Sequence, residues 1–383
     1  MFENFRIKLN ENCPCGSRIV YRSCCYNRED KKLHPQKMEV YPIKLLKKSI
    51  YKTCLYPDKM KCSKNIIGAH ALQSNRILSK LSVDNHVIMI NLLKKPFYVE
   101  LDNGEKLSFN LFDSVGVNKA TKYPCFCKKH DDEIFADIEK DGCDFIKGNK
   151  KQEFLFAYKS FAFEYYQQTI NYKQFNMLIK DIPSKLKDIN MVRKYRELLK
   201  KERDLSYYKV KFEKALLNSQ FSNIETEVIE FLNEIEFANF LCISPKYDLY
   251  GRKNRIYNRK NKVCSNLFIT IFPAKNKSFM LISYFKEDFK YLKTFINQIK
   301  RASENIIKFY FNSIIPIYSN NIVLSPRLWN GWSAEIQNAF NYYNNLNGQE
   351  WIMLKAISFA LGNHKRFKSK KIDYKNSKIN MFS

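Results

Sequence analysis

The sequence predicts an α+β protein: an N-terminal metal knuckle, a zinc-stapled strand-and-helix module, then a mostly helical region holding a β-hairpin or small sheet. Three observations carry this. Eight of the 11 Cys fall in clusters before residue 140. Residues 150–240 carry apolar and aromatic side chains at helical spacing. Two short β-rich runs, 267–272 and 279–285, flank a polar turn. The boundaries fall near 35, 150 and 240, giving segments 1–35, 36–150, 151–240 and 241–383.

Composition narrows the function classes. The 383 residues are 45% hydrophobic with only 10 Gly and 11 Pro, which supports packed cores and excludes collagen-like or wholly disordered chains. No run of about 18 uncharged apolar residues exists, so no membrane span is expected. The first residues lack the basic-then-apolar pattern of a secretory signal, so a cytoplasmic location is expected. The net charge is +28, which favours a polyanionic partner. Of the 66 basic residues, however, 52 are Lys and 14 are Arg, beside abundant Asn, Ile, Phe and Tyr. AT-rich coding alone produces that bias, so the total charge is a weaker clue than its local distribution.

The first cluster reads Cys13-Pro14-Cys15-Gly16-Ser17-Arg18, then Tyr21, then Cys24-Cys25. Four thiolates in this spacing can close a tetrahedral shell around Zn2+. Pro14 stiffens the first pair and Gly16 permits the return turn. These 13 residues resemble the SEC-C motif, departing from it at Arg18, where Gly is usual. The resemblance implies a bacterial or phage-related protein and a module that docks on protein or ribosome, with no chemistry of its own.

The second cluster comprises Cys54, Cys62, Cys127 and His130. Cys127 and His130 have the spacing of a knuckle entering a helix, whose first turn Asp131, Asp132 and Glu133 would favour. In another assignment His130 is catalytic and Cys125 takes its place as ligand. The order resembles the zinc-stapled HNH endonucleases of the ββα-metal fold. That resemblance implies His70 as the general base for a water, Asn118 as the middle Asn, and Asp131 as ligand of a catalytic Mg2+ or Mn2+. Ala69 stands where the family has Asp, and 64 residues separate Cys62 from Cys127. Residues 87–90 and 97–111, with Asn103-Gly104 as the turn, read as a hairpin insertion. Beside the catalytic roles stand plainer ones: His70 as a packed histidine or an extra ligand, Asp131 and Asp132 as helix-start charges.

Further along, residues 152–176 predict a buried aromatic helix. Residues 185–217 predict one long amphipathic helix or a helical hairpin, shielding the core or mediating dimerisation. Residues 223–240 predict another helix. The runs 267–272 and 279–285 predict a hairpin across Lys275-Asn276-Lys277. Residues 286–313 read as one long helix; residues 326–332 and helices around 335–343 and 349–361 close the fold, followed by a basic tail over 364–378. Between 250 and 262 lie Arg252, Lys253, Arg255, Tyr257, Arg259 and Lys260. Three Arg here, in a chain poor in Arg, are not explained by coding bias. Arg beside Tyr is the composition that grips phosphates and stacks bases, though a solvated loop would look similar.

No glycine-rich phosphate loop, nucleophile elbow or dinucleotide fingerprint is present. The expected function is a metal-dependent endonuclease acting on DNA or RNA, of the kind found in phage defence or mobile elements. The alternatives are a non-enzymatic zinc protein binding nucleic acid or ribosome, and a phage-response sensor or toxin.

Overall fold

The computed structural model describes residues 6–32, 34–100, 106–140, 142–345 and 379–382. Its centre is a seven-stranded, wholly antiparallel sheet. The strand order is Phe112–Gly116, His86–Ile90, Val323–Leu324, Phe237–Ile243, Leu267–Pro273, Ser278–Phe285, Ile224–Phe231. Antiparallel sheets commonly leave one face wet and alternate apolar with polar residues. Here the central strands are buried throughout, because helices cover both faces. Phe268 and Phe272 face one core with Phe161 and Phe212, while Leu267, Ile269 and Ile271 face the other with Leu292, Phe295 and Ile314.

The helix Lys150–Asp181 is the mast of the first core. Asn149 caps it, its Oδ1 accepting from Lys151 N and Gln152 N at 3.2 Å. Its first half is buried nearly all round, polar Gln152, Glu153, Lys159, Ser160 and Glu164 included. Phe156 stacks on Phe272 of the sheet at 4.9 Å. Phe161 stacks on Phe212 of the helix Ile189–Leu217 at 4.7 Å. Tyr158 meets Phe126 of the strand Lys122–Cys127 and Phe135 just past the helix Lys128–Ile134 at 6.3 and 6.0 Å.

The hairpin predicted over 267–285 is present, Phe268 pairing with Ser283 and Phe272 with Phe279. The aromatic helix and the long 189–217 helix are present too. Three expectations differ. Residues 223–240 form the strands Ile224–Phe231 and Phe237–Ile243. A short apolar run such as Phe237–Ile243 fits a buried strand or a buried helix equally well, and pairing with Leu267–Pro273 decides it. The predicted 286–313 helix is broken: Phe289–Arg301 ends, Ala302 and Ser303 turn extended, and Glu304–Tyr318 restarts. Finally, His86–Ile90 leaves the predicted insertion and enters the main sheet between Phe112–Gly116 and Val323–Leu324. The insertion hairpin itself pairs Phe97–Glu100 with Lys106–Phe109. Its Asn103-Gly104 turn, the 349–361 helix and the 364–378 tail lie outside the described residues. No helix among the described residues is long and apolar enough to cross a membrane.

Candidate metal centres and nucleic-acid surface

The ligand atoms of Cys13, Cys15, Cys24 and Cys25 all lie within 4.8 Å of one another. Cys15 Sγ stands 3.5 Å from Cys24 Sγ, which stands 3.9 Å from Cys25 Sγ. Tetrahedral zinc with sulfur at about 2.3 Å sets sulfur–sulfur edges of about 3.8 Å, so these thiols fit the ion. The Cys13 amide donates to Ile19 O at 2.8 Å, closing the loop that carries the first pair. Gly16 is needed there: its φ is +78°, and a Cβ would come 2.7 Å from Asn176 Nδ2. Arg18, at the position where a SEC-C motif has Gly, also has a left-handed φ of +63°. An Arg in that conformation costs about 1 kcal/mol, which accounts for the glycine preference there.

Burial raises the Cys13 pKa to about 11 and pushes Cys25 up further. At Cys15 burial is outweighed by hydrogen bonds from the Ser17 side chain and backbone, leaving it at about 7. Zinc bound there would displace protons from the high-pKa members. The knuckle caps the end of the long helix: Arg28 Nη2 donates to Ile179 O at 3.4 Å and also to Lys180 O.

The second group joins Cys54, Cys62, Cys127 and His130, again within 4.8 Å. His130 Nδ1 lies 3.3 Å from both Cys54 Sγ and Cys127 Sγ, against about 3.6 Å for nitrogen and sulfur on one tetrahedral zinc. Cys125, fully buried, stands outside the group. Local backbone explains the assembly. Ile66–His70 pairs antiparallel with Lys122–Cys127, and the helix Lys128–Ile134 follows directly, which puts Cys127 at a strand end and His130 in the first turn. Thr53 N and Leu55 N donate to Pro124 O and Cys125 O at 3.0 and 2.8 Å, drawing Cys54 in. Tyr56 stacks on the His130 ring at 3.9 Å and fixes its plane. Burial lifts Cys54 to about 11. At Cys127 burial acts the same way, but bonds from Ser63 and the His130 backbone bring it to about 7.

The residues assigned to catalysis are placed as follows. His70 ends its strand half-buried, its Nδ1 2.9 Å from Ala120 O. With the proton on Nδ1 donating to that carbonyl, Nε2 keeps its lone pair. Burial, with Lys122 beside it, lowers the His70 pKa to about 4. The unfolded imidazole takes its proton near 6.5, so stability is lost as pH falls from about 6.5 to 4. An NMR titration of the zinc-loaded protein is expected to show His70 titrating near pH 4, and a midpoint at or above 6.5 would contradict its burial. Asn118 is exposed in the 117–121 turn, the same turn that offers Ala120 O to His70. Its Oδ1 lies over Gly116.

Asp131 is 9% exposed and Oδ1 has no hydrogen-bond partner. Burial raises its pKa, opposed by the charge of Lys159. Lys159, 5% exposed, is in direct contact with the Glu139 carboxylate and stands 4.8 Å from the Phe135 ring centroid. Mg2+ and Mn2+ take several hard oxygen ligands and keep bound waters. Among the described residues no further carboxylate or imidazole joins Asp131 in a candidate metal group, and a buried ammonium is the neighbouring charge. Asp131 thus has a buried ammonium, rather than further hard oxygen ligands among the described residues, as its neighbour. Lys159 was missed in the sequence; its signal was a lone cation between Phe154 and Phe163 in an otherwise apolar helix stretch.

The basic loop is braced rather than slack. Asp248 Oδ1 accepts from Tyr250 N and Arg252 N at 2.9 and 2.8 Å, and Gln298 Nε2 donates to Asp248 Oδ2 at 2.8 Å. Asn254 Nδ2 donates to Pro245 O, and Asn261 Nδ2 to Tyr207 OH on the 189–217 helix. Tyr257–Asn258 pairs with Val263–Cys264. Arg252, Lys253, Arg255, Tyr257, Arg259 and Lys260 are all exposed, while Ile256 and Asn258 point inward. Among the described residues none of these five cations pairs with a carboxylate.

No protein-family model, curated protein or solved structure matches the chain. Both Cys/His groups are geometrically able to hold zinc.

Proposed function

We propose that this chain is a zinc-stabilised nucleic-acid-binding protein that grips the phosphate backbone through the 252–260 loop. The observation that carries the reading is that loop: five exposed cations and one exposed Tyr on a hydrogen-bonded scaffold. A preorganised loop loses little conformational freedom on binding. Arg, rather than the Lys that dominates the chain, supplies the forked donors that phosphate oxygens accept. The two Cys/His groups act here as scaffold. The Cys13–Cys25 knuckle offers a further contact for protein or ribosome, supported by its resemblance to SEC-C modules alone.

The nuclease reading keeps one support. His70 is neutral at physiological pH, with its tautomer set by Ala120 O. The surroundings of Asp131 weigh against it. Two measurements test the ordering. Affinity for a labelled oligonucleotide is expected to fall about tenfold or more between 50 and 200 mM salt, as for about three neutralised phosphates; an affinity insensitive to salt sinks the proposal. With Mg2+ or Mn2+ present, plasmid and RNA are expected to stay intact in wild type and in His70→Ala alike. Cleavage by wild type that His70→Ala abolishes would put the nuclease first.

A further inference from the structure

Along the basic loop, exposure alternates: Arg255, Tyr257 and Arg259 face out, Ile256 and Asn258 face in. Tyr257 and Asn258 form one side of a short two-stranded ladder with Val263–Cys264; Arg255 precedes that strand and Arg259 opens the turn that follows it. Tyr257 is 45% exposed, and among the described residues its ring makes no contact with another ring or with a cation. Most aromatic side chains among the described residues pack against other rings; Tyr257 is held out to solvent, with exposed Arg255 and Arg259 two positions to either side in the sequence.

From this arrangement we infer that the loop takes single-stranded nucleic acid, with one base stacked on the exposed Tyr257 and Arg255 and Arg259 on phosphates to either side of it. The inference rests on the nucleic-acid reading above and narrows it to a substrate class. A duplex does not offer the same fit. Its base faces are covered by their neighbours in the stack, so a Tyr ring finds no free face without unstacking. An unstacked strand offers a base face and a phosphate in each repeat, which is the alternation the loop presents. Stacking tolerates any base, so no sequence preference is expected from this contact. RNA and DNA share the chemistry, and nothing in the Arg–Tyr–Arg face reads the 2′-hydroxyl.

The test is fluorescence anisotropy on the full-length, zinc-loaded protein with three probes: a 12-nucleotide oligo-U RNA, the matching oligo-dT DNA, and a 12-base-pair duplex. Both single strands are expected to bind about tenfold or more tighter than the duplex, and within a few-fold of each other. Tyr257→Ala is expected to weaken single-strand binding about tenfold with the salt slope unchanged, and Tyr257→Phe to restore most of it. The double variant Arg255→Gln with Arg259→Gln is expected to lower the salt slope by about 1.4, the value for two phosphates on a single strand. All three positions are exposed, so the variants are expected to melt with wild type. Binding that favours the duplex, or that Tyr257→Ala leaves untouched, overturns the single-strand register while leaving nucleic-acid binding in place. Failure of all three probes to bind overturns both readings.

Discussion

Removing zinc from Cys54, Cys62, Cys127 and His130 is expected to unfold the strand–strand–helix unit. Structural zinc sites contribute about 10 kcal/mol or more of apparent free energy at neutral pH, comparable to the whole stability of an ordinary domain. The four ligands come from a loop, a second loop, a strand end and a helix start. Apart from Thr53 N and Leu55 N on the Lys122–Cys127 strand, few backbone bonds hold the Cys54 segment in place. Metal analysis of the purified protein is expected to give two zinc ions per chain, and Cys127→Ser close to one. With Cys127→Ser the thermal transition should shift down or vanish, and Phe126 and Phe135 should lose their packing against Tyr158. The expected dependence on acid has the same origin. The ligand thiols must lose protons to bind the metal, and Cys54 and Cys13 hold theirs to about pH 11 without it. Zinc affinity therefore falls as pH falls. A stoichiometry of one in wild type, or native melting in excess chelator, would refute one or both sites.

Phe212→Ala is expected to destabilise the protein by about 3–5 kcal/mol, the range for emptying a large aromatic site in a tight core. Phe212 is fully buried where two helices meet the sheet. Its ring lies 4.7 Å from Phe161 and 4.9 Å from both Phe268 and Phe285. Those neighbours sit on three different elements, so no single side chain can move to fill the space. In a protein this size, unfolding as one unit, the loss corresponds to a drop of about 4–6 °C in Tm. Val210, on the same helix and 66% exposed, is the control: Val210→Ala should stay within about 0.5 kcal/mol of wild type. A loss below about 1 kcal/mol at Phe212 would mean that this core is less tightly packed than the ring distances indicate.

Much of the metal chemistry was legible because its signals are local. Cys13-x-Cys15 and Cys24-Cys25 show their pairing within 13 residues, and Cys127-x-x-His130 announces a turn into a helix. The loop at 252–260 was legible for the same reason: Arg density against a Lys-rich background is visible without a fold. Other features were not. The run Phe237–Ile243 has no period that separates strand from helix, and only its partners Leu267–Pro273 and Val323–Leu324 settle the matter. His86–Ile90 was paired in the sequence with its nearest apolar neighbours, whereas Val323–Leu324, more than 230 residues away, takes one of its edges. Asp131 reads as a helix-start acid or a metal ligand until Lys159 is placed beside it.

The sequence alone determined the inventory: eight zinc-competent ligands in two groups, a long aromatic helix, a β-hairpin over 267–285, and a cationic loop carrying Tyr257. These follow from residue type and short-range spacing, which set local geometry and donor chemistry. Tertiary structure decided everything that depends on a partner far along the chain. It made strands of 224–231 and 237–243, merged segments from residue 86 to residue 324 into one sheet, and set a buried lysine rather than open solvent beside Asp131. Strand pairing and the cost of burying a charge are both settled between distant residues, so neither is written in any one stretch of sequence.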